Sequence, residues 1–176
     1  MTRDAKAWRF GRTDQPGVAV TVRPVASLEE LVQLEQVIAA QFPARRSASA
    51  RAAALEAHFE ENRSLMLLAE QNGAIVGGAL AFRIGDAVRV DVIGLEPEAR
   101  RLGIGRKLMG AIESQAIRLG AQSIYLGGAS AENRGFYWRL GFAGRGSLMH
   151  KGLPLTSRFM AERRKRAAAA GHDGAA

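Results

Sequence analysis

The stretch from Asp91 to Gly110 reads DVIGLEPEARRLGIGRKLMG, and the rest of the chain is read from it. An apolar strand pattern ends at Leu95, and Glu96-Pro97-Glu98 turns the chain. Arg100, Gly103 and Gly105 then lead directly into a helical pattern. Glycine lets a backbone approach a ligand with no side chain in the way. The first-turn amides of a helix have no partner inside it and lie at the positive end of its dipole. A strand end, a glycine turn and a helix start in succession therefore form an anion cradle, most often for phosphate. Arg100, Arg101, Arg106 and Lys107 add side-chain charge. The stretch has neither the G-K-[ST] ending of a nucleotide P-loop nor the third glycine of a dinucleotide fingerprint, and a lone pair of glycines is a weak motif that caps alone would explain.

A second constellation follows some thirty residues on. Asn133, Phe136, Tyr137, Gly141 and Phe142 stand in the order N-x-x-F-Y-x-x-x-G-F. Taken alone, Tyr137 reads as an amphipathic core tyrosine. Together, Arg100-Arg101-Leu102-Gly103-Ile104-Gly105 resembles the R-x-x-G-x-G acetyl-CoA signature of the GNAT N-acetyltransferase superfamily, and the second constellation resembles the end of that fold. The resemblance covers about residues 18–153. It implies an α/β fold with a splayed central mixed sheet flanked by helices, and acetyl transfer from acetyl-CoA to an amine. It also implies site residues. Backbone amides from Arg101 through Leu102, Gly103, Ile104 and Gly105 to Arg106 would take the pyrophosphate, supplemented by Arg100, Arg101 and Arg106. Strand backbone at Ile93, Gly94 and Leu95 would pair with the pantetheine arm, and the amide near Leu95 would polarise the thioester carbonyl. Asn133 and Phe136 would hold the cofactor from the other side of the splay. Tyr137 would be the general acid, since its hydroxyl donates.

The base is less defined in the sequence. Asp91, on the strand leading to the cleft, is the best carboxylate, with a structural pairing to Arg89 or to an arginine on a neighbouring strand as the other reading. A water chain would also serve. Glu56, Glu60 and Asp86 are weaker alternatives, suited to a cationic substrate. His58 reads first as a surface or half-buried helix residue, and the acids around it as a solvated face.

Length and composition suit a soluble globular protein of one domain. The 176 residues are 47% hydrophobic and 24% charged, ordinary for a globular chain. No run approaches the ~18 apolar residues that span a bilayer, and the N-terminus has no apolar signal region. There is no cysteine, hence no disulfide and no thiolate metal site, and neither motif calls for a metal. A cytoplasmic location is the expectation. The net charge of +8 is spread unevenly: residues 1–17 hold four bases and two acids, and residues 156–176 five and two. The remaining 16 bases meet 13 acids, a small surplus that suits one polyphosphate ligand better than a nucleic-acid backbone.

In order, the chain predicts an N-terminal arm over 1–17, with Trp8 and Phe10 able to dock, a domain over 18–155 and a basic tail over 156–176. Within the domain, Val18, Val20 and Val22 alternate as a strand that Pro24 closes. Ser27 to Glu30 is a capping box opening a helix with Leu31, Leu34 and Ile38 on one face, stopped at Phe42-Pro43. Arg45-Arg46-Ser47 links to a second helix over 48–62 carrying Leu55 and Phe59. Strands 65–70 and 74–84 meet at an Asn72-Gly73 hairpin turn, with Gly77-Gly78 marking a bulge or a close backbone contact. A further strand runs over 87–95, with Gly94 the expected bulge. The helix after Gly105 carries Leu108, Ile112, Ala116 and Leu119 on one stripe and stops at Gly120. Ser123 to Leu126 is expected parallel to the strand ending at Leu95, and one or two closing strands over 142–153 are broken by Gly144 and Gly146. The acceptor expected is a small-molecule amine, an aminoglycoside-type antibiotic among the options although only scattered acids are present to bind one. A protein amine is the alternative acceptor, and a non-catalytic acyl-CoA sensor the alternative role. Homodimers are common in the resembled family, so a homodimer is one form to expect.

Overall fold

The computed structural model describes residues 19–42 and 47–154. The expected N-terminal arm with Trp8 and Phe10, the Arg45-Arg46 part of the linker and the basic tail lie outside the described residues. Among the described residues seven strands form one sheet: β1 (Val20–Pro24), β2 (Met66–Gln71), β3 (Ala74–Ile84), β4 (Ala87–Leu95), β5 (Ser123–Leu126), β6 (Ala143–Arg145) and β7 (Leu148–Gly152). Their order is β1-β2-β3-β4-β5-β7-β6. β4 and β5 pair in parallel and every other pair is antiparallel. Among the described residues five α-helices accompany it: α1 (Leu28–Ala40), α2 (Ala48–Glu56), α3 (Phe59–Asn62), α4 (Ile104–Arg118) and α5 (Ala131–Arg139). This is the expected mixed α/β architecture, with α4 as the crossover that a parallel pair requires. Among the described residues no helix is long and apolar enough to cross a membrane.

Side chains alternate across a strand, so the sheet has two buried faces. Leu67 and Ala69 of β2 join a core with Ile104, Leu108, Ile112 and Ala116 of α4. Met66 and Leu68 join a second core with Leu31, Leu34 and Ile38 of α1, Leu55 of α2 and Phe59 of α3. The α4 stripe thus buries its predicted residues, with Leu119 partly buried against the same core.

The start of α1 departs from a simple capping box. Ser27 Oγ accepts from Glu30 N at 3.2 Å as expected. The Glu30 carboxylate instead accepts from Ala26 N at 2.7 Å and from Arg23 at 2.9 and 2.7 Å. Arg23 also donates to Glu70 on β2 at 3.2 Å. The cap is therefore tied to the sheet. The helix expected over 48–62 is broken between Glu56 and Phe59. His58 leaves the helical region at ψ 1, and Asn62 is buried at 3% exposure. Its Oδ1 accepts from Arg83 N at 2.9 Å, and its Nδ2 donates to His58 O at 3.2 Å. A buried amide must be satisfied, and the break turns α3 so that Asn62 meets the β3 backbone.

The Asn72-Gly73 turn has φ values of 52 and 80, the double positive of a type I′ hairpin. Gly77 and Gly78 do mark close backbone contact: a Cβ on Gly77 would lie 2.3 Å from Gly94 O, and one on Gly78 2.2 Å from Leu67 O. The bulge in β4 lies at Asp91 rather than at Gly94. Leu80 pairs with Val92 and Ala81 with Val90, leaving Asp91 as the extra residue, whereas Gly94 pairs regularly with Gly78. The smallness of Gly94 serves packing, since a Cβ there would meet Ile38 Cγ1 at 3.2 Å. An extra residue resets the alternation: Val88 and Val90 face the α4 core, Val92 faces the α1 core, and Ile93 packs on the α4 core again. In the closing hairpin, Gly146 at φ 61 makes the turn, but Gly144 sits within β6, where a Cβ would lie 2.1 Å from Leu148 O.

Candidate active site

The parallel pairing of β4 with β5 ends at Val90 and Leu126. β4 continues to Leu95, while the chain after Leu126 leaves the sheet through Gly127 and Gly128. A cleft of ≈ 180 Å³ opens there, lined by Asp91, Ile93, Gly128, Asn133 and Tyr137, with Phe42 from the end of α1. Glu96 N donates to Val76 O on β3 at 2.9 Å. Successive backbone groups alternate sides, so the Ile93 and Leu95 amides face the opening instead. The Asp91 bulge starts the divergence one residue past the last parallel pair.

At the far end of β4 the chain makes a short 3-10 turn over Pro97–Ala99. Arg101 has φ 62 and Gly103 φ 77 before α4 begins. The first α4 bond runs from Lys107 N to Gly103 O at 3.1 Å, so the amides of Ile104, Gly105 and Arg106 precede the helical ladder. The two glycines serve different needs. Gly103 supplies the left-handed backbone, with nothing within 4 Å of a Cβ placed there. At Gly105 a Cβ would meet the Phe136 ring at 3.3 Å, so smallness lets α5 approach the helix start. Ile104 is 1% exposed and Leu102 packs on the same core; their side chains anchor the loop and leave its backbone outward. Arg101 and Arg106 are exposed and Lys107 half-buried. Arg100 is hydrogen-bonded to two neutral acceptors, which hold the guanidinium in place without cancelling its charge. Its Nε donates to Leu95 O at 3.1 Å and its Nη2 to Gln41 Oε1 at 2.6 Å, tying the end of β4 to the end of α1.

From the other wall come Asn133 and Tyr137, one turn apart on α5. Ser130 Oγ caps this helix by accepting from Asn133 N at 3.3 Å. Gly141 ends it at φ 84, the left-handed stop expected of it. The Tyr137 ring sits edge-to-face between Phe136 at 5.0 Å and Phe142 at 5.9 Å. Burial pushes its phenol above the ordinary value of 10.0, because the phenolate would be poorly solvated there. Its hydroxyl makes no hydrogen bond among the described residues.

Asp91 lies at the bulge with its carboxylate already paired. Arg51 of α2 donates to it at 2.9 Å, and Arg89 stands 3.9 Å away. The Arg51 guanidinium also holds Glu35, wholly buried on α1, at 3.3 Å. Arg89 is the partner considered from sequence, but the closer arginine comes from a helix rather than a strand. Neither Arg51 nor Glu35 was singled out. A signal existed for Glu35, which falls between Leu34 and Ile38 on the apolar face of α1. Arg51 carried none, being one base in an alanine-rich helix. A second cavity of ≈ 440 Å³ adjoins Asp91 between α2–α3 and the β3–β4 hairpin, and His58 and Glu61 reach its wall. Glu56 and Glu60 are exposed, the latter 3.7 Å from Arg63. Asp86 lies at the opposite end of β4 from Leu95, bound to Gln122. Among the described residues no group of His, Asp or Glu is placed to hold a metal ion.

Comparison with solved structures places the fold. The chain is similar to Ard1 from Thermoplasma volcanium, at 19% identity and a TM-score of 0.65, over 77% of this chain and 98% of that one. It is similar to the PaiA N-acetyltransferase from Thermoplasma acidophilum in complex with coenzyme A, at 19% identity and a TM-score of 0.60, over 76% and 99%. It is likewise similar to the ribosomal-protein-S18-alanine N-acetyltransferase from Escherichia coli, at 18% identity and a TM-score of 0.60, over 78% and 96%. No curated protein sequence matches the chain. The acetyltransferase (GNAT) family model matches residues 31–142, more than half of the chain, and this protein belongs to that family of N-acetyltransferases.

Proposed function

We propose that the protein transfers the acetyl group of acetyl-CoA to the primary amine of a small molecule, with Tyr137 as general acid. The observation that carries this reading is the splay beyond Val90 and Leu126, with outward amides on one wall and the Tyr137 phenol on the other. The residues fit the cosubstrate. The Ile104, Gly105 and Arg106 amides precede the helical ladder and suit a pyrophosphate, with Arg101 and Arg106 exposed beside them. The Ile93 and Leu95 backbone offers a strand edge to an amide-bearing arm, and one of its solved neighbours holds coenzyme A. Arg134, next to Asn133, has a buried Nε without a partner among the described residues, a donor that a bound acceptor group would satisfy.

The thioester supplies an activated acyl carbon. The neutral amine attacks it, the C–N bond forms and the C–S bond breaks. The Leu95 amide would stabilise the developing oxyanion, and the Tyr137 hydroxyl would deliver its proton to the departing sulfur. The amine's proton leaves by water, since the Asp91 carboxylate is held by Arg51. The test is thiol release from acetyl-CoA across an amine panel. Turnover with one amine class, reduced about 100-fold or more by Tyr137→Phe, is the expected result. No turnover, together with no rise in melting temperature on adding acetyl-CoA, would sink the reading.

A further inference from the structure

The ≈ 440 Å³ cavity beside α2 and α3 meets the splay cleft at Asp91, which lines both. Its charges are arranged unevenly. At the Asp91 end the Arg51 guanidinium is committed to Asp91 and to buried Glu35. Further from the cleft is Arg89, two residues back on β4 and on the same face as Asp91, roughly 7 Å along the strand. Arg83 lines the same cavity, with Nε bound to Gly85 O at 3.1 Å. Arg89 differs from both. Its guanidinium carries five donors, none hydrogen-bonded among the described residues. Its contact with Asp91, at 3.9 Å, is too long for a hydrogen bond. The group is held over the Phe82 ring at 5.8 Å, a cation–π contact that orients the guanidinium and leaves its donor edge open. Its side chain is 45% exposed. The lining holds two carboxylates, Asp91 and Glu61, against three arginines, so the cavity as a whole is not an acidic funnel for a polycation.

We infer that Arg89 recognises an anionic group, a carboxylate or phosphate, on the acceptor, with the amine of the same molecule directed past Asp91 into the splay. The acceptor is then a zwitterionic amine rather than an aminoglycoside-type polycation. This rests on the acetyltransfer reading and deepens it. A guanidinium fork suits either anion, because both present two oxygens to parallel N–H donors.

Matched pairs test it: phosphoethanolamine against ethanolamine, and β-alanine against β-alaninamide. Each is measured for acetylation with acetyl-CoA, and for shift of the melting temperature with coenzyme A in place of acetyl-CoA. The anionic member of each set should give the higher kcat/KM and the larger shift. Arg89→Ala should lower the anionic-to-uncharged ratio of kcat/KM by roughly ten- to a hundredfold, and Arg89→Lys should restore part of it. Preference for the uncharged members or for polycations, or an unchanged ratio in Arg89→Ala, would overturn the inference while leaving acetyl transfer intact. If no amine is acetylated and no anionic member shifts the melting temperature, the inference fails; whether acetyl-CoA itself still stabilises the protein then decides the fate of the broader reading.

Discussion

Tyr137 illustrates how packing sets chemistry at a single residue. Phe136 and Phe142 enclose its ring, and the resulting loss of solvation raises the phenol above 10.0. A raised value keeps the proton in place below it and releases it only as pH climbs through it. The alkaline limb of kcat due to Tyr137 should therefore lie above pH 10 and vanish in Tyr137→Phe, which a pH–rate profile would show. Gly103 and Gly105 are separable in the same way. Gly103→Ala puts a side chain at φ 77, at a cost of about 1–2 kcal/mol, seen as a lower denaturation midpoint. Gly105→Ala, with ordinary helical backbone, presses on the Phe136 ring at 3.3 Å. It should lower kcat more than stability, because Phe136 packs edge-to-face on Tyr137. Equal effects of the two substitutions on the midpoint would contradict this division.

At the level of elements, the start of α1 is joined to β1 and β2 through one carboxylate. Glu30 takes the Ala26 amide and both ends of the Arg23 fork. Hydrogen bonds from Arg23 are the main reason that its carboxyl is held below the usual 4.5. A depressed value contributes stability that is complete above 4.5 and lost as pH falls through the folded value. Glu30→Gln should flatten the acid side of the stability profile measured by denaturant titration between about pH 5 and 2. A profile as steep as that of the unsubstituted protein would place the acid sensitivity elsewhere. The β4 bulge works at the same level. By inserting Asp91, it shifts which side chains face α1 and which face α4, and β4 departs from β5 just beyond it.

Across the whole molecule, Arg51 connects three elements: Glu35 of α1, its own helix α2, and Asp91 of β4. Glu35 is wholly buried and keeps a further contact, so loss of Arg51 weakens its compensation without abolishing it. Arg51→Ala should destabilise the fold by about 1–3 kcal/mol. Its effect should be less than additive with Asp91→Ala, since the two share one ion pair. A double-mutant cycle by denaturant unfolding measures the coupling, and full additivity would show that the pair holds nothing.

Much of this was legible in the chain. Apolar periodicity marked α1, α4 and most strands, because burial on one face leaves a repeat of 3.6 or 2 that needs no partner to be seen. Asn72-Gly73, Gly103 and Gly141 were readable because their backbone conformations favour these residue types locally. Gly77, Gly78 and Gly94 showed only that something comes close. What comes close, Gly94 O, Leu67 O and Ile38, depends on strand register and on α1 crossing the sheet. The same holds for the break before α3, compelled by Asn62 reaching the β3 backbone, and for the bulge at Asp91, which no local residue preference marks. Charge partnership was least readable of all. A guanidinium spans several ångströms in any direction, so only the packed fold could join Arg51 to Glu35 and Asp91, send Arg100 to Leu95 O, and leave Arg89 over Phe82 with its donors open.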